Sequence, residues 1–274
     1  NIFIKPLIAH SGVVNVSKGE KLVIAVSGKG GVGKTSITAL ILKTLIDSGV
    51  KSILVVDANP DSNLPEVLGV EVQKTVGDVT NELKRAIDRG ELPPTLSKRD
   101  LLEFKVFEVL KELPEFDLLV MGRTEGEGCY CMVNDVLTEV VDTLSKNYAI
   151  TLMDMEAGLE HVSRRTDRDV DYMLIVTDLS KMGFLTASRI KKLAGEVHIQ
   201  FKKIFLVGNR FPQDKADLLY KYAEEIGIEP LGIIPYDENI ARYNLEGIPL
   251  LKLPSDSPAL IAVREIVKKM GLIQ

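Results

Sequence analysis

A glycine-rich loop is the segment whose residue types and spacing bear most directly on chemistry. Residues 28–36 read GKGGVGKTS, which fits the spacing G-x-x-x-x-G-K-[ST], and the apolar stretch KLVIAVS precedes them. Glycines allow consecutive backbone N–H groups to face phosphate oxygens, and the start of a following helix adds a partial positive charge. Lys34 is expected to reach the β- and γ-phosphates of a nucleotide, and the Thr35 hydroxyl to bind Mg²⁺. The loop residues predicted to bind nucleotide are Gly28, Lys29, Gly30, Gly31, Val32, Gly33, Lys34, Thr35 and Ser36.

Lys29 is a second lysine inside this loop. The order K-G-G-x-G-K-T resembles the deviant Walker A motif of the ATPases that include MinD, ParA and the nitrogenase iron protein. The resemblance implies that Lys29 reaches across a dimer interface to the nucleotide of the other subunit, so that ATP binding and homodimer formation are one event. A solvated lysine on the loop is the alternative interpretation.

Two aspartates end apolar stretches: Asp57 in VVDANPDSNL and Asp154 in LMDMEAGLEH. In the group that the loop resembles, these segments are the first and second switches. The resemblance implies that Asp57 contacts Mg²⁺ through water and that Asp154 belongs to the Mg²⁺ shell. It also implies that Gly158 presents its backbone N–H to the γ-phosphate, a close approach for which glycine is suited.

Asn59 is a departure from that group. The related motif is D-x-D-P, and Asn59 stands where its second aspartate positions the attacking water. An amide can orient water by hydrogen bonding but cannot accept its proton. We therefore expect an ATPase that converts ATP to ADP and phosphate slowly. Asp61 is a candidate substitute, although it lies two residues further on.

Asn209 and Pro235 are the candidate contacts of the nucleotide base. Asn209 ends IFLVGN, where the group places an asparagine that reads the edge of adenine, and Pro235 belongs to IPYDEN, predicted to form the far wall of the base pocket. Ordinary loop polarity is the alternative for both. Adenine is favoured over guanine because the sequence contains no N-K-x-D motif.

Cys129 and Cys131 are the only two cysteines of the chain. A disulfide between them would close a small, strained ring. Thiolates at positions i and i+2 can instead converge on one metal, although soft tetrahedral sites usually take four ligands. A two-fold dimer would bring two such pairs together into a four-sulfur site. Two unligated cysteines packed under a loop are the alternative.

The four motifs GKGGVGKT, GCYCMVN, MDMEAGLEH and GIIPYDENI together resemble the CooC-type ATPases. That resemblance implies a dimeric, ATP-gated metallochaperone for nickel insertion into carbon monoxide dehydrogenase or acetyl-CoA synthase. The cofactors it implies are ATP/ADP, Mg²⁺ and Ni²⁺, with Zn²⁺ able to occupy the same sulfurs. A positioning ATPase of the MinD or ParA kind and an iron-sulfur cluster carrier remain alternatives.

The sequence pattern also predicts the strands and helices that hold these residues in place. Short apolar runs alternate with stretches of helical periodicity, which predicts a single α/β P-loop NTPase domain with seven or eight mostly parallel strands and helices on both faces. The predicted strands are 21–27, 52–57, 117–122, 149–155, 172–177, 203–208 and 231–235. The predicted helices are 34–47, 132–145, 184–194, 214–227 and 257–270. We expect residues 21–274 to form this ATPase domain, with a helical insertion at about 71–114, and residues 1–20 to be an extension or an extra strand.

Composition limits the partners. The net charge of −5 and pI near 5.4 argue against nucleic-acid binding as the main activity, because such binding needs clustered Lys and Arg. Apolar runs such as YMLIVT are far shorter than the roughly 20 residues that cross a bilayer, and residues 1–20 lack the pattern of a secretory signal. We expect a cytoplasmic protein that binds neither nucleic acid nor membrane.

Overall fold

The computed structural model describes residues 21–91, 104–123, 143–156, 170–196 and 201–274. These residues form one eight-stranded sheet in the order β3-β4-β2-β5-β1-β6-β7-β8. Every neighbouring pair is parallel except β3 and β4, which are antiparallel. The strands are β1 Leu22–Gly28, β2 Ile53–Asp57, β3 Lys111–Glu112, β4 Asp117–Val120, β5 Ile150–Asp154, β6 Tyr172–Thr177, β7 Lys203–Asn209 and β8 Glu229–Ile234.

Helices cover both faces of the sheet, so that the central strands are buried on both sides. All residues of β1, β2 and β5 are buried, as expected for parallel strands whose sequences are almost continuously apolar. The helices are α1 Lys34–Asp47, α2 Leu64–Leu68, α3 Val76–Asp88, α4 Lys181–Glu196, α5 Ala216–Ile226, α6 Glu238–Glu246 and α7 Pro258–Lys269. Residues 104–108 and 143–145 are also helical.

Two hydrophobic cores lie on opposite faces of the sheet. One contains buried residues of α1, α2 and α7, and the other contains buried residues of α3, α4 and α5. Alternate residues of β1 divide between the cores: Ile24 belongs to the first and Ala25 to the second. Because successive side chains of a strand point to opposite faces of the sheet, one strand packs against both helical layers.

The predicted fold class is confirmed, and the seven predicted strands are found with ends shifted by at most two residues. The eighth strand, β3, was not predicted because two residues carry no readable alternation. Helix 34–47 is found as predicted. Helix 184–194 instead begins at Lys181, and the Ser180 hydroxyl accepts a hydrogen bond from the Gly183 N–H in its first turn. The two short helices α2 and α6 were missed.

Two further predicted helices are found with small shifts at their ends. Helix 214–227 is found as a short 3₁₀ turn, Gln213–Lys215, followed by α5, and helix 257–270 is found as α7 with Ser257 as its N-cap. Of the predicted helix 132–145, residues 143–145 are described and are helical. The rest of that helix, and the predicted extension at 1–20, lie outside the described residues.

Helix α3 occupies the first part of the predicted insertion. Thr75 and Asp78 begin it with a capping box: the Asp78 carboxylate accepts from the Thr75 N–H at 2.8 Å, and the Thr75 hydroxyl accepts from the Asp78 N–H at 3.2 Å. Its apolar side chains Val76, Val79 and Leu83 are buried in the second core. Within the described ranges, no helix has the length and hydropathy to cross a membrane.

Candidate nucleotide-binding site

The phosphate loop lies between β1 and α1, at the carboxyl end of the central strand. Gly28 has φ 152°, and a Cβ there would lie 2.2 Å from the Val176 carbonyl oxygen of the neighbouring strand. Gly33 has φ 93° and directly precedes α1. The Val176 carbonyl leaves no room for a side chain at Gly28, and the positive φ at Gly33 would strain any other residue. Backbone geometry therefore explains why both positions are glycine.

The end of β7 contacts this loop. The side-chain amide of Asn209 donates a hydrogen bond of 2.7 Å to the Val32 carbonyl, and the guanidinium of Arg210 donates to the Gly31 carbonyl. Asn209 therefore lies beside the phosphate loop, and its observed partner is the loop backbone; its contact with adenine stays a prediction. Arg210 was missed, because nothing in its sequence neighbourhood indicates a partner so distant along the chain.

Lys34 is the buried cation of the site. Its side chain is 8% exposed, and its Nζ lies 3.3 Å from the Lys29 carbonyl oxygen, to which it donates. Burial lowers the pKa of Lys34, while the charges of Asp154 and Glu156 oppose that shift. A buried ammonium of this kind has lost much of its hydration, and an anion such as a phosphate would therefore be strongly attracted.

Asp57 and Asp154 are paired carboxylates at the ends of adjacent strands. They are register partners in the β2–β5 pair, and both are buried. Asp154 accepts hydrogen bonds from the hydroxyls of Thr35 at 2.6 Å and Thr38 at 3.4 Å. Asp57 accepts from the backbone N–H groups of residues 59 and 64, at 3.0 and 3.1 Å.

Burial disfavours charge on both carboxylates, and Asp57 is also repelled by the charge of Asp154. Burial, and then the charge of Asp154, raises the pKa of Asp57 to about 7. Burial raises the pKa of Asp154 to about 6 against the opposing effects of the Thr35 hydrogen bond and the Lys34 charge. Two carboxylates beside a threonine hydroxyl are the hard oxygen ligands that Mg²⁺ prefers. The residues present therefore fit the magnesium site predicted from the sequence.

Asn59 lies in the turn that follows β2. Its side-chain oxygen accepts a 3.0 Å hydrogen bond from the Asp61 N–H, and its carbonyl accepts from the Ser62 N–H at 2.9 Å. The Asp61 carboxylate forms an ion pair with Arg123. The side chain predicted to orient water thus also shapes this turn, and Asp61 is directed toward Arg123.

Lys29 pairs with Asp178 of its own chain, with 3.5 Å between Nζ and the carboxylate, and about a third of each side chain is exposed. Burial alone would raise the pKa of Asp178, but hydrogen bonds from Ser180 and the charge of Lys29 outweigh it and lower that pKa. An exposed pair of this kind contributes about 1 kcal/mol or less to stability. Lys29 can therefore exchange Asp178 for another anion at small cost, and its predicted role across a dimer stays a prediction.

Pro235 directly follows β8, and the next turn is held by Asp237. The Asp237 carboxylate accepts from the Asn239 N–H at 2.8 Å, from the Ser257 hydroxyl at 2.5 Å and from the Ala259 N–H at 3.2 Å. Burial alone would raise the pKa of Asp237, but these hydrogen bonds together lower it. One carboxylate therefore ties the predicted wall of the base pocket to the starts of α6 and α7.

Three predicted site residues, Cys129, Cys131 and Gly158, lie outside the described residues. Their roles stay predictions. In the described part of the site, the structure brings together the loop, Lys34, Thr35 and the two aspartates. The loop follows β1, the lysine and threonine begin α1, and the aspartates end the neighbouring strands β5 and β2.

The site combines a glycine-rich loop, which joins a strand to a helix, with a buried lysine and two strand-end carboxylates beside a threonine. This combination defines a nucleotide-binding protein of the P-loop class. The chain belongs to the family described as the CobQ/CobB/MinD/ParA nucleotide binding domain (CbiA), whose model matches residues 23–250.

Individual relatives agree with this assignment. The chain is 52% identical over 249 residues to an uncharacterised ATP-binding protein of Methanocaldococcus jannaschii, covering 91% of this chain and 98% of that protein. It is 31% identical over 239 residues to the carbon monoxide dehydrogenase accessory protein CooC of Rhodospirillum rubrum, covering 82% and 88% of the two chains. The fold is similar to a ParA family ATPase from Chlorobium tepidum, with a TM-score of 0.68, 22% identity and coverage of 89% and 96%.

Proposed function

We propose that this chain is a dimeric, ATP-dependent metallochaperone. It binds Ni²⁺ as cargo at Cys129 and Cys131, shared between two subunits, and assists nickel insertion into carbon monoxide dehydrogenase or acetyl-CoA synthase in the cytoplasm. The observation that carries this proposal is the Cys-x-Cys segment in a chain that is 31% identical to the accessory protein CooC. Zn²⁺ would suit the same four sulfurs.

The chain's own residues account for the nucleotide step. The loop N–H groups and Lys34 would bind the phosphates, and Thr35 with Asp57 and Asp154 would hold Mg²⁺, which would neutralise phosphate charge. Gly158 would contact the γ-phosphate through its backbone N–H, and Lys29 would leave Asp178 for the nucleotide of the second subunit. Asn59 orients the attacking water without taking its proton, so hydrolysis is slow.

The first switch is joined to the chain that leads to the cysteines. The Met121 N–H donates a 2.9 Å hydrogen bond to the Asp57 carbonyl, and Arg123 pairs with Asp61. Arg123 precedes Cys129 by only six positions in the sequence. A rearrangement of the Asp57–Asp61 turn on nucleotide binding would therefore act directly on the backbone that enters the cysteine segment, which supports coupling of ATP state to metal binding.

Metal content measured with oligomeric state tests the proposal. Protein purified without oxygen is analysed with ATP and Mg²⁺ by size-exclusion chromatography with light scattering, and the metal in each peak is determined. We expect one Ni²⁺ or Zn²⁺ per two chains in the dimer, and little in the monomer. A combined Cys129→Ser and Cys131→Ser variant should lose the metal but keep ATP binding. Metal retained by that variant would refute the cysteine site.

Two outcomes would favour the alternatives. Inorganic sulfide together with iron in the dimer would indicate an iron-sulfur cluster carrier. A metal-free dimer that forms with ATP would indicate a positioning ATPase of the MinD or ParA kind. A Lys34→Ala variant is the nucleotide-deficient control, because it keeps both cysteines and lacks the buried cation of the phosphate loop.

A further inference from the structure

The last residue of β7 and the residue that follows it hold two successive peptide groups of the phosphate loop. Asn209 donates to the Val32 carbonyl at 2.7 Å, and Arg210 donates to the Gly31 carbonyl. These two contacts bring together residues that lie more than 170 positions apart in the sequence. No comparable contact could be read from the loop motif itself.

The orientation of these carbonyls fixes the orientation of the neighbouring N–H groups. In a trans peptide the C=O and N–H bonds point to opposite sides of one plane. With the Gly31 and Val32 carbonyls turned toward β7, the N–H groups of Val32 and Gly33 must point away from β7 and into the loop. The Val32 N–H accordingly points back across the loop, where its contact with the Lys29 carbonyl is a long 3.4 Å. Converging N–H groups of this kind form an anion-binding concavity.

The end of β7 is itself held firmly enough to act as a support. The Phe211 N–H donates a 3.0 Å hydrogen bond to the Ile234 carbonyl of β8, and the Phe211 ring lies against Gly208, where a Cβ would be 2.7 Å from it. Between these anchors Arg210 adopts φ 53°, a left-handed conformation that disfavours most residues other than glycine. In this backbone conformation, the Arg210 side chain reaches the loop and donates to the Gly31 carbonyl.

The fit between Asn209 and the loop is close. Asn209 is 8% exposed, and a Cβ on Gly33 would lie 2.5 Å from its side-chain nitrogen. The glycine at position 33 therefore serves two purposes: it permits φ 93° before α1, and it leaves room for the Asn209 amide. The donor group of Asn209 is directed to the loop backbone.

We propose that Asn209 and Arg210 are positioning residues that preorganise the phosphate loop, so that their support acts on the phosphate groups of any nucleoside triphosphate or oligophosphate. Their hydrogen bonds hold the loop N–H groups toward the phosphate site before ligand arrives, which reduces the entropy lost on binding. The inference rests on nucleotide binding alone and not on the metal site, so it can fail or succeed independently of the metallochaperone proposal.

Affinities for three ligands test the proposal: ATP, GTP and inorganic tripolyphosphate, which has no base. For Asn209→Ala we expect each dissociation constant to rise by at least about three- to tenfold, the loss of one hydrogen bond. Tripolyphosphate is the decisive ligand because it has no base for Asn209 to contact, and KM for ATP should rise with kcat unchanged. An ATP-specific loss with tripolyphosphate unaffected would overturn the proposal, as would unchanged affinities for all three.

Arg210→Asn provides an independent measurement, because asparagine tolerates a positive φ and removes the guanidinium. It should weaken all three ligands in parallel, whereas unchanged affinities would contradict a supporting role for Arg210. Arg210→Lys keeps the charge and loses the planar fork; we expect only partial recovery, and full recovery would show that charge alone acts. Exposed Asn147→Ala is the matched control, and thermal unfolding without ligand verifies that each variant folds.

Discussion

The buried charge of Asp154 should destabilise the protein when nucleotide and Mg²⁺ are absent, and an Asp154→Asn substitution tests this. Asparagine has nearly the same shape, and the Thr35 and Thr38 hydroxyls that now donate to Asp154 can rotate to accept from an amide. The variant therefore removes a charge without opening a cavity or stranding a donor. It also removes one cause of the raised pKa of Asp57.

The expected magnitude follows from the pKa of Asp154. Its value rises from 3.8 to about 6 on folding. This rise in pKa corresponds to about 3 kcal/mol when the carboxylate is charged in both states. Between pH 4 and 6 the unfolded chain holds fewer protons at this residue than the folded chain, so this residue's contribution to stability falls as pH rises through that window. Above it, the whole penalty is present.

Urea unfolding in EDTA at several pH values measures this contribution. The advantage of Asp154→Asn over the original chain should be small at pH 4 and should grow to about 3 kcal/mol by pH 8. Asp256→Asn, which removes a carboxylate from an exposed position, is the matched control. A difference between Asp154→Asn and the original chain that does not depend on pH would refute the reasoning. With Mg²⁺ and ATP added, the original chain should gain more stability than the variant, because an amide is a poor Mg²⁺ ligand.

Three further predictions concern the loop, the first switch and a helix end. Lys29→Ala should change stability by about 1 kcal/mol or less, because it breaks an exposed pair, yet abolish the ATP-dependent dimer seen by light scattering. Asn59→Asp should raise ATP turnover about tenfold or more in a phosphate-release assay, because a carboxylate can accept the proton of water; equal rates would contradict the role given to Asn59. Gly69→Ala should cost about 2 to 4 kcal/mol in urea unfolding, since its Cβ would lie 2.2 Å from Pro249, whereas Gly49→Ala, with similar φ and open space, should cost about 1 kcal/mol.

The sequence predicted the sheet and its main helices well because their signals are local. Each central strand is a short apolar run, and α1 begins where the glycine loop ends. The two-residue strand β3 and the short helices α2 and α6 gave no such signal. They form where the chain finds partners: Leu64, at the start of α2, donates its N–H to Asp57, and Asp237 caps α6.

In the candidate site, too, residues with a local sequence signal were predicted, and contacts between distant residues were not. Lys34, Thr35 and the two aspartates were identified from spacing and from the ends of apolar runs, and the structure brings them together. Arg210 was missed. Asn209 was identified, but its contact with the Val32 carbonyl was not, because only the order of the sheet places β7 beside the loop.

The phosphate loop, the alternation of strands and helices and the closely spaced cysteine pair can be read directly from the chain, since each depends on residues that are neighbours in sequence. Folding sets which distant groups meet and how they are charged. The adjacency of β2 and β5 places Asp57 beside Asp154, and burial of both raises their pKa values. Such shifts depend on solvent exclusion and on distances between strands, which the spacing of residues along the chain does not specify.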